Sequence, residues 1–229
     1  MKKINFSLRQ IFENITGIEI DRRIPSREVA FYFVKKCKNL LRGFIVFKNF
    51  KTMISKNVKI KNKKQLKIDS FLNIDHDVYL DALSENGIQI GKHVSIGCFT
   101  RIECTGSLSF LGKGFKCGNN CGLGTDCFYG AAGGIEIGND VIVGNFVSIH
   151  SENHNYSNPE IPIRLQGVNH KGIKIGSNCW IGAKATILDG SIIGDGCIVA
   201  AGAVVTGVFP DNVIIGGVPA KVIKRRTNQ

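Results

Sequence analysis

Five histidines stand in this chain, and one of them occupies a place where a proton-transfer group would be useful. His154 ends the stretch Ser151-Glu152-Asn153-His154, at the point where a regular run of sequence gives way to an irregular one. Imidazole has an unperturbed pKa of ~6.5, close to working pH, so a histidine beside such an opening suits a general base. His150 falls at an outward-pointing position of the regular run, and His76, His93 and His170 carry no argument beyond their residue type. A zinc site built of three histidines needs a third ligand beside His150 and His154, which are four apart, and none is placed to supply it, so no metal is expected. The eight cysteines have no C-x-x-C spacing.

The element that positions His154 is a repeat. From Ile175, aliphatic residues return every six positions: Ile175, Ile181, Ile187, Ile193, Val199, Val205. A small residue often follows (Gly176, Gly182, Gly194, Ala200), and another comes four places on (Cys179, Ala185, Ser191, Cys197, Ala203). The pattern recurs upstream at Ile90-Gly91, Ile96-Gly97, Leu123-Gly124, Ile137-Gly138 and Val143-Gly144. A period of six is neither the 3.6 of a helix nor the 2 of a hairpin strand. It fits an all-β coil, in which three hexads make one triangular turn and each inward aliphatic stacks on its equivalent one turn away. Only a small side chain fits the second inward position, and cysteine is a small hydrophobe. Cys121, Cys127, Cys179 and Cys197 occupy that position, so they are expected to be reduced packing residues.

The repeat is irregular near 103–122, where Leu108 to Lys116 predicts a wider turn, and it breaks after His154. Residues 155–174 are then an excursion, and a loop of that length in a compact protein is usually functional. Residues 1–70 show no hexads, and 71–229 form the coil domain, with a tail over 208–229 in which Pro210 and Pro219 are expected to leave the coil. Between 28 and 50, aromatic and aliphatic residues alternate with Lys35, Lys36, Lys38, Arg42 and Lys48, which predicts one or two basic amphipathic helices.

Net charge is +12, unevenly spread: residues 1–70 hold 18 Lys+Arg against 5 Asp+Glu, and residues 71–229 hold 12 against 13. The N-terminal third is expected to meet an anionic surface, a membrane leaflet rather than nucleic acid, since no nucleic-acid motif accompanies the charge. No apolar run approaches the ~18–20 residues of a membrane span, and no secretory signal is visible, so a cytoplasmic protein is expected, at the inner face of the membrane where the basic segment engages it.

The stretch VSIHSENHNYSNPEIPI, then Asn178-x-Trp180-Ile181-Gly182 and Gly216-Gly217-Val218-Pro219-Ala220-Lys221, resembles the hexapeptide-repeat O-acetyltransferases of the maltose/galactoside type, including enzymes that decorate bacterial polysaccharides. The likeness covers roughly 88–226. It implies a left-handed parallel β-helix, acetyl-CoA as co-substrate, a sugar or glycan acceptor that is free, nucleotide-linked or lipid-linked, and a homotrimer with its groove between subunits. It places the catalytic base at His154, with Glu152 or Asn153 either orienting its ring or contacting a sugar, and a sugar-binding carboxylate at Asp126. It also implies oxyanion donors at the backbone beside Gly182 and Ala183, a coenzyme groove lined by Ala183, Ala201 and Thr206, and phosphate contacts from Lys221, Lys224 and Arg225. The family often has lysine after that threonine, where this chain has Gly207. A sugar N-acetyltransferase and a non-enzymatic β-helical scaffold are the alternative readings.

Overall fold

The computed structural model describes residues 9–11, 13 and 19–227. The chain divides into two units, one ending at Ile54 and one beginning at Ser55. In the first, a helix, α1 (Ser26–Phe47), begins after Pro25 and carries Glu28 in its first turn, where the helix dipole favours a negative charge. It ends at Lys48, whose left-handed backbone returns its N–H to the Phe44 carbonyl. A Cβ on Gly43 would lie 1.7 Å from the Thr52 carbonyl oxygen, so glycine is what lets the strand Thr52–Ile54 lie against the helix. The predicted basic helix is therefore present, as one helix.

In the second unit, strands of two or three residues repeat on three faces of a left-handed parallel β-helix. The first face runs from Leu72–Ile74 through Ser95–Ile96, Gly122–Leu123, Ile142–Val143, Trp180–Ile181 and Ile198–Val199 to Val213–Gly217. The second runs from Lys59–Lys61 to Val204–Val205, and the third from Leu66–Ile68 to Val208–Phe209. Inward residues stack in register: Leu80, Ile102, Tyr129, Ile149, Ile187 and Val205 form one column of the core. Full burial of each such side chain contributes about 1.5–3 kcal/mol. Cys121, Cys127, Cys179 and Cys197 are buried in this interior as free thiols. Burial pushes the Cys179 thiol up to about 11 and that of Cys104 up to about 12.

Corners place Asn, Asp or an aromatic residue at positive φ, as at Asn120, Asp140 and Asn178. Side chains knit one corner to the next: the Asn119, Ser177 and Asp195 N–H groups donate to Asn139 Oδ1, Asp195 Oδ1 and Asp211 Oδ1. Each bond satisfies a backbone group that the short strands leave unpaired.

Two boundaries differ from expectation. The division falls at 54/55 instead of 70/71, because Lys59–Lys61 and Leu66–Ile68 already stack on Tyr79–Asp81 and Ile88–Ile90. Ile60, Leu66 and Ile68 were masked by the exposed lysines between them, which point out of the coil. At the other end, Pro210 occupies a corner and does not end the coil. Ile214 and Ile215 still pair in parallel with Ile198 and Val199, and the chain turns back only at Gly217, into an antiparallel hairpin with Ala220–Arg225.

Candidate active site

The second face of the fifth complete turn ends at Ser148–His150, and the chain then leaves the coil until Ile173–Ile175 rejoins the third face. Ser151, fully buried, anchors the departure: its hydroxyl donates to the Gly130 carbonyl at 2.8 Å and accepts from the Gly133 N–H at 2.9 Å. The return is anchored by Asp189, whose carboxylate accepts the N–H groups of Lys171 and Gly172 at 2.8–2.9 Å. Between the anchors, Asn153–His154 and Val168–Asn169 form a short antiparallel pair. Gln166 ties the rest of the loop to itself, donating to the carbonyls of Asn158 and Ile161.

His154 sits on this hairpin, exposed, with no side-chain hydrogen bond among the described residues. A ring so placed has both nitrogens available to an incoming group. His150 differs. It is half-buried, its Nε2 shares a 2.7 Å hydrogen bond with the Ser148 hydroxyl, and burial holds its pKa below the ordinary value. Asn153 is exposed beside His154, but Glu152 turns away from it: its Oε2 accepts from His170 Nε2 at 2.7 Å. His170, which carried no argument beyond its residue type, is thus the partner of Glu152. No periodicity pointed to it, because residue 170 lies inside the excursion and meets Glu152 only where the loop folds back.

The other sequence-selected residues group by corner. Ala183 and Ala201 lie one above another where the first face turns into the second, and Asp126 stands at the same corner two turns before Ala183, in the column of Phe146 and Lys184; it has φ 54 and is exposed. The Ala183 carbonyl accepts the Gly202 N–H in this stack. Lys221 lies near the hairpin turn that follows Val213–Gly217, whereas Lys224 and Arg225 run back to the opposite end of that strand, facing Ile214 and Val213. Thr206 falls at the next corner, after Val204–Val205, on the side from which the His154 loop departs. Gly182 is required by space, because a Cβ there would approach Ala201 N to 2.5 Å. Its N–H is committed to the Val199 carbonyl at 2.8 Å, whereas the Ala183 N–H has no partner among the described residues. Of the two amides expected as oxyanion donors, only Ala183 keeps a free N–H.

The strand Thr186–Leu188 of the second face separates the turn at Ala183 from the corner at Asp189. The corner carrying Asp126, Ala183 and Ala201 and the corner from which the His154 hairpin departs are therefore at opposite ends of one face. Elsewhere, Asp75, His76 and Cys98 bring a carboxylate, a ring nitrogen and a thiol within 4.8 Å of one another, with His76 Nδ1 2.8 Å from Asp77 Oδ2. Three donors are fewer than a structural zinc site takes, and the cluster lies two and three turns before His154.

A family model described as bacterial transferase hexapeptide (six repeats) matches residues 172–207. The chain is 30% identical over 195 residues to a putative lipopolysaccharide biosynthesis O-acetyl transferase of Escherichia coli K12, covering 74% of this chain and 95% of that protein. It is 36% identical over 140 residues to a probable acetyltransferase of Mycobacterium tuberculosis, covering 61% of this chain but only 44% of that longer protein. Among solved structures it is similar to an N-acyltransferase of Bacillus cereus in complex with dTDP and coenzyme A, with a TM-score of 0.53, 24% identity, and coverage of 76% of this chain and 84% of that one. At that identity the likeness is one of fold.

Proposed function

The chain belongs to the hexapeptide-repeat acetyltransferases, and from that premise we propose that it moves an acetyl group from acetyl-CoA to a sugar hydroxyl, in the building of a bacterial surface polysaccharide. The observation that carries the reading is His154 itself: an exposed, uncommitted imidazole on a hairpin held at both feet, on the longest excursion from the coil among the described residues. In the proposed reaction, His154 takes the proton of the acceptor hydroxyl as its oxygen attacks the thioester carbonyl. The tetrahedral oxyanion is held by the Ala183 N–H, and a preorganised donor of that kind is worth about 3–4 kcal/mol of barrier. Collapse expels the coenzyme thiolate, which recovers the proton from the imidazolium. No covalent enzyme intermediate is needed.

The acceptor class follows the printed name of the Escherichia coli relative, an O-acetyl transferase of lipopolysaccharide biosynthesis. Asp126, exposed on the corner below Ala183, is assigned to an acceptor hydroxyl; Asn153, beside the base, is a second contact. Ala183, Ala201 and Lys221 are assigned to the coenzyme path, with Thr206 and the pair Lys224 and Arg225 reaching it from the other two corners or from another chain.

A face separates base from oxyanion donor on one chain, so the site is completed by a second copy, in a homotrimer. Two features support this. The outward ladder Ile142, Trp180, Ile198 and Ile214 gives the first face an apolar exterior. The loop beyond His154 exposes Tyr156, Ile163 and Leu165, which suits a segment that covers a neighbour.

No helix among the described residues is long and apolar enough to cross a membrane. Even so, α1 exposes Phe31, Val34, Leu41 and Ile45 on the side away from buried Val29 and Gly43, alongside Arg27, Lys38 and Arg42. This basic apolar face is assigned to an anionic leaflet, where a lipid-linked acceptor would be met. Sedimentation with anionic vesicles at low salt checks it; protein remaining in the supernatant would sink the assignment.

The function is tested by calorimetry with acetyl-CoA and by turnover on a panel of glycans, using wild type and His154→Ala. Both proteins are expected to bind the coenzyme in the micromolar range, while His154→Ala loses about 100-fold or more of turnover. Absence of coenzyme binding by wild type would overturn the enzymatic reading; equal loss of binding and turnover in the variant would make His154 structural.

A further inference from the structure

The loop that carries His154 is closed by a contact no family likeness assigns. His170 is the first residue after the antiparallel pair and Glu152 the last before it, and His170 Nε2 donates to Glu152 Oε2 at 2.7 Å across the two feet. The His170 side chain is only 9% exposed. Phe110, from the other excursion of the coil, stacks on it with ring centroids 4.4 Å apart and planes 12° from parallel. The link lies immediately below Asn153–Asn169 and His154–Val168, so it fixes the spacing of the two strands where the base leaves the coil.

We propose that Glu152 and His170, clamped by Phe110, are a positioning pair for His154: they act on the reaction by holding the hairpin, not by touching the acceptor. The proposal rests on the reading of His154 as the base. It assigns the near-buried histidine no proton transfer, and it removes Glu152 from the acceptor contacts that the sequence suggested.

A misplacement of about 1 Å in a reacting group costs up to ~100-fold in rate. Glu152→Ala and His170→Phe, the latter keeping a ring against Phe110, are therefore each expected to lower kcat about 10- to 100-fold, with the KM for acetyl-CoA unchanged. Because both break one bond, the double variant should be no worse than the poorer single, and Glu152→Gln, which still accepts a hydrogen bond, should recover much of the rate. A readout independent of turnover is amide hydrogen exchange in the full-length protein: the His154–Val168 hairpin should exchange about tenfold faster in both single variants, with the coil strands unchanged. Unchanged hairpin exchange overturns the pair as a positioning device, whatever the activity. Faster exchange with full kcat overturns its link to His154. If His170→Phe abolishes turnover while His154→Ala retains it, the base itself is His170 and the positioning role falls.

Discussion

His150 and His154 are four residues apart, and their surroundings separate their chemistry. His150 is half-buried against the second face and its pKa is lowered by desolvation, so the folded protein prefers the neutral ring. When pH falls through the unfolded value of ~6.5, the unfolded chain takes up this proton before the folded one does, and stability drops. His150→Gln removes that contribution. Thermal melts of the two proteins are expected to show wild type losing more on going from pH 7.5 to 5.5 than the variant; identical losses would mean that His150 is not the group responsible. His154 was legible in the sequence because it stands where the hexads stop, and a break in a strict period can be read without coordinates. His170 was not, because its role comes from a loop that folds back on itself, and no periodicity relates residue 170 to residue 152. The same limit applies to Gly182: its type was legible, but that its N–H is spent on the Val199 carbonyl depends on hydrogen-bond direction within the stack.

Elements here are short, and corners carry much of the specificity. Asp189 shows how: 7% exposed, it stands at a corner of the coil above the loop and accepts the Lys171 and Gly172 N–H groups just where the chain re-enters the third face. Asp189→Ala leaves two amides without an acceptor, and a buried unsatisfied donor costs about 1–3 kcal/mol. Both amides are only part-buried, so the expected loss is about 1–2 kcal/mol of unfolding free energy in urea at fixed protein concentration, with Asp189→Asn losing less because it keeps one acceptor oxygen. No measurable change would mean that the loop foot is held by strand pairing alone. Hexads legible from Ile175 onward located the strands well, since inward aliphatics at fixed spacing have only one way to stack. The first turns escaped because Ile60 and Ile68 are flanked by Lys59, Lys61 and Lys67, so that composition suggested a solvated extension where the pleat was already regular.

At the scale of the whole molecule, the proposed site asks for more than one chain. The proposed base and the proposed oxyanion donor belong to opposite ends of the second face: Ala183 stands where that face begins, and the His154 hairpin leaves the coil where it ends. Meanwhile Ile142 and Trp180, register partners on the outside of the first face, are 62% and 54% exposed. These apolar rungs, continued by Ile198 and Ile214, form the kind of exposed patch at which protein partners bind. If that protein is a second copy of this chain, a charge set among the rungs must be desolvated on assembly without a partner, a cost of several kcal/mol per subunit contact. Outward-facing Ile142 takes no part in the core column, so Ile142→Glu should leave the coil intact. Wild type is expected to be a trimer by light scattering, and the variant to show a native circular dichroism spectrum, to elute as a monomer at micromolar concentration, and to lose coenzyme binding and turnover together. A monomeric variant that still binds acetyl-CoA and turns over would show that the site is complete within one chain. A variant that remains trimeric with normal kinetics would place the subunit interface on another face.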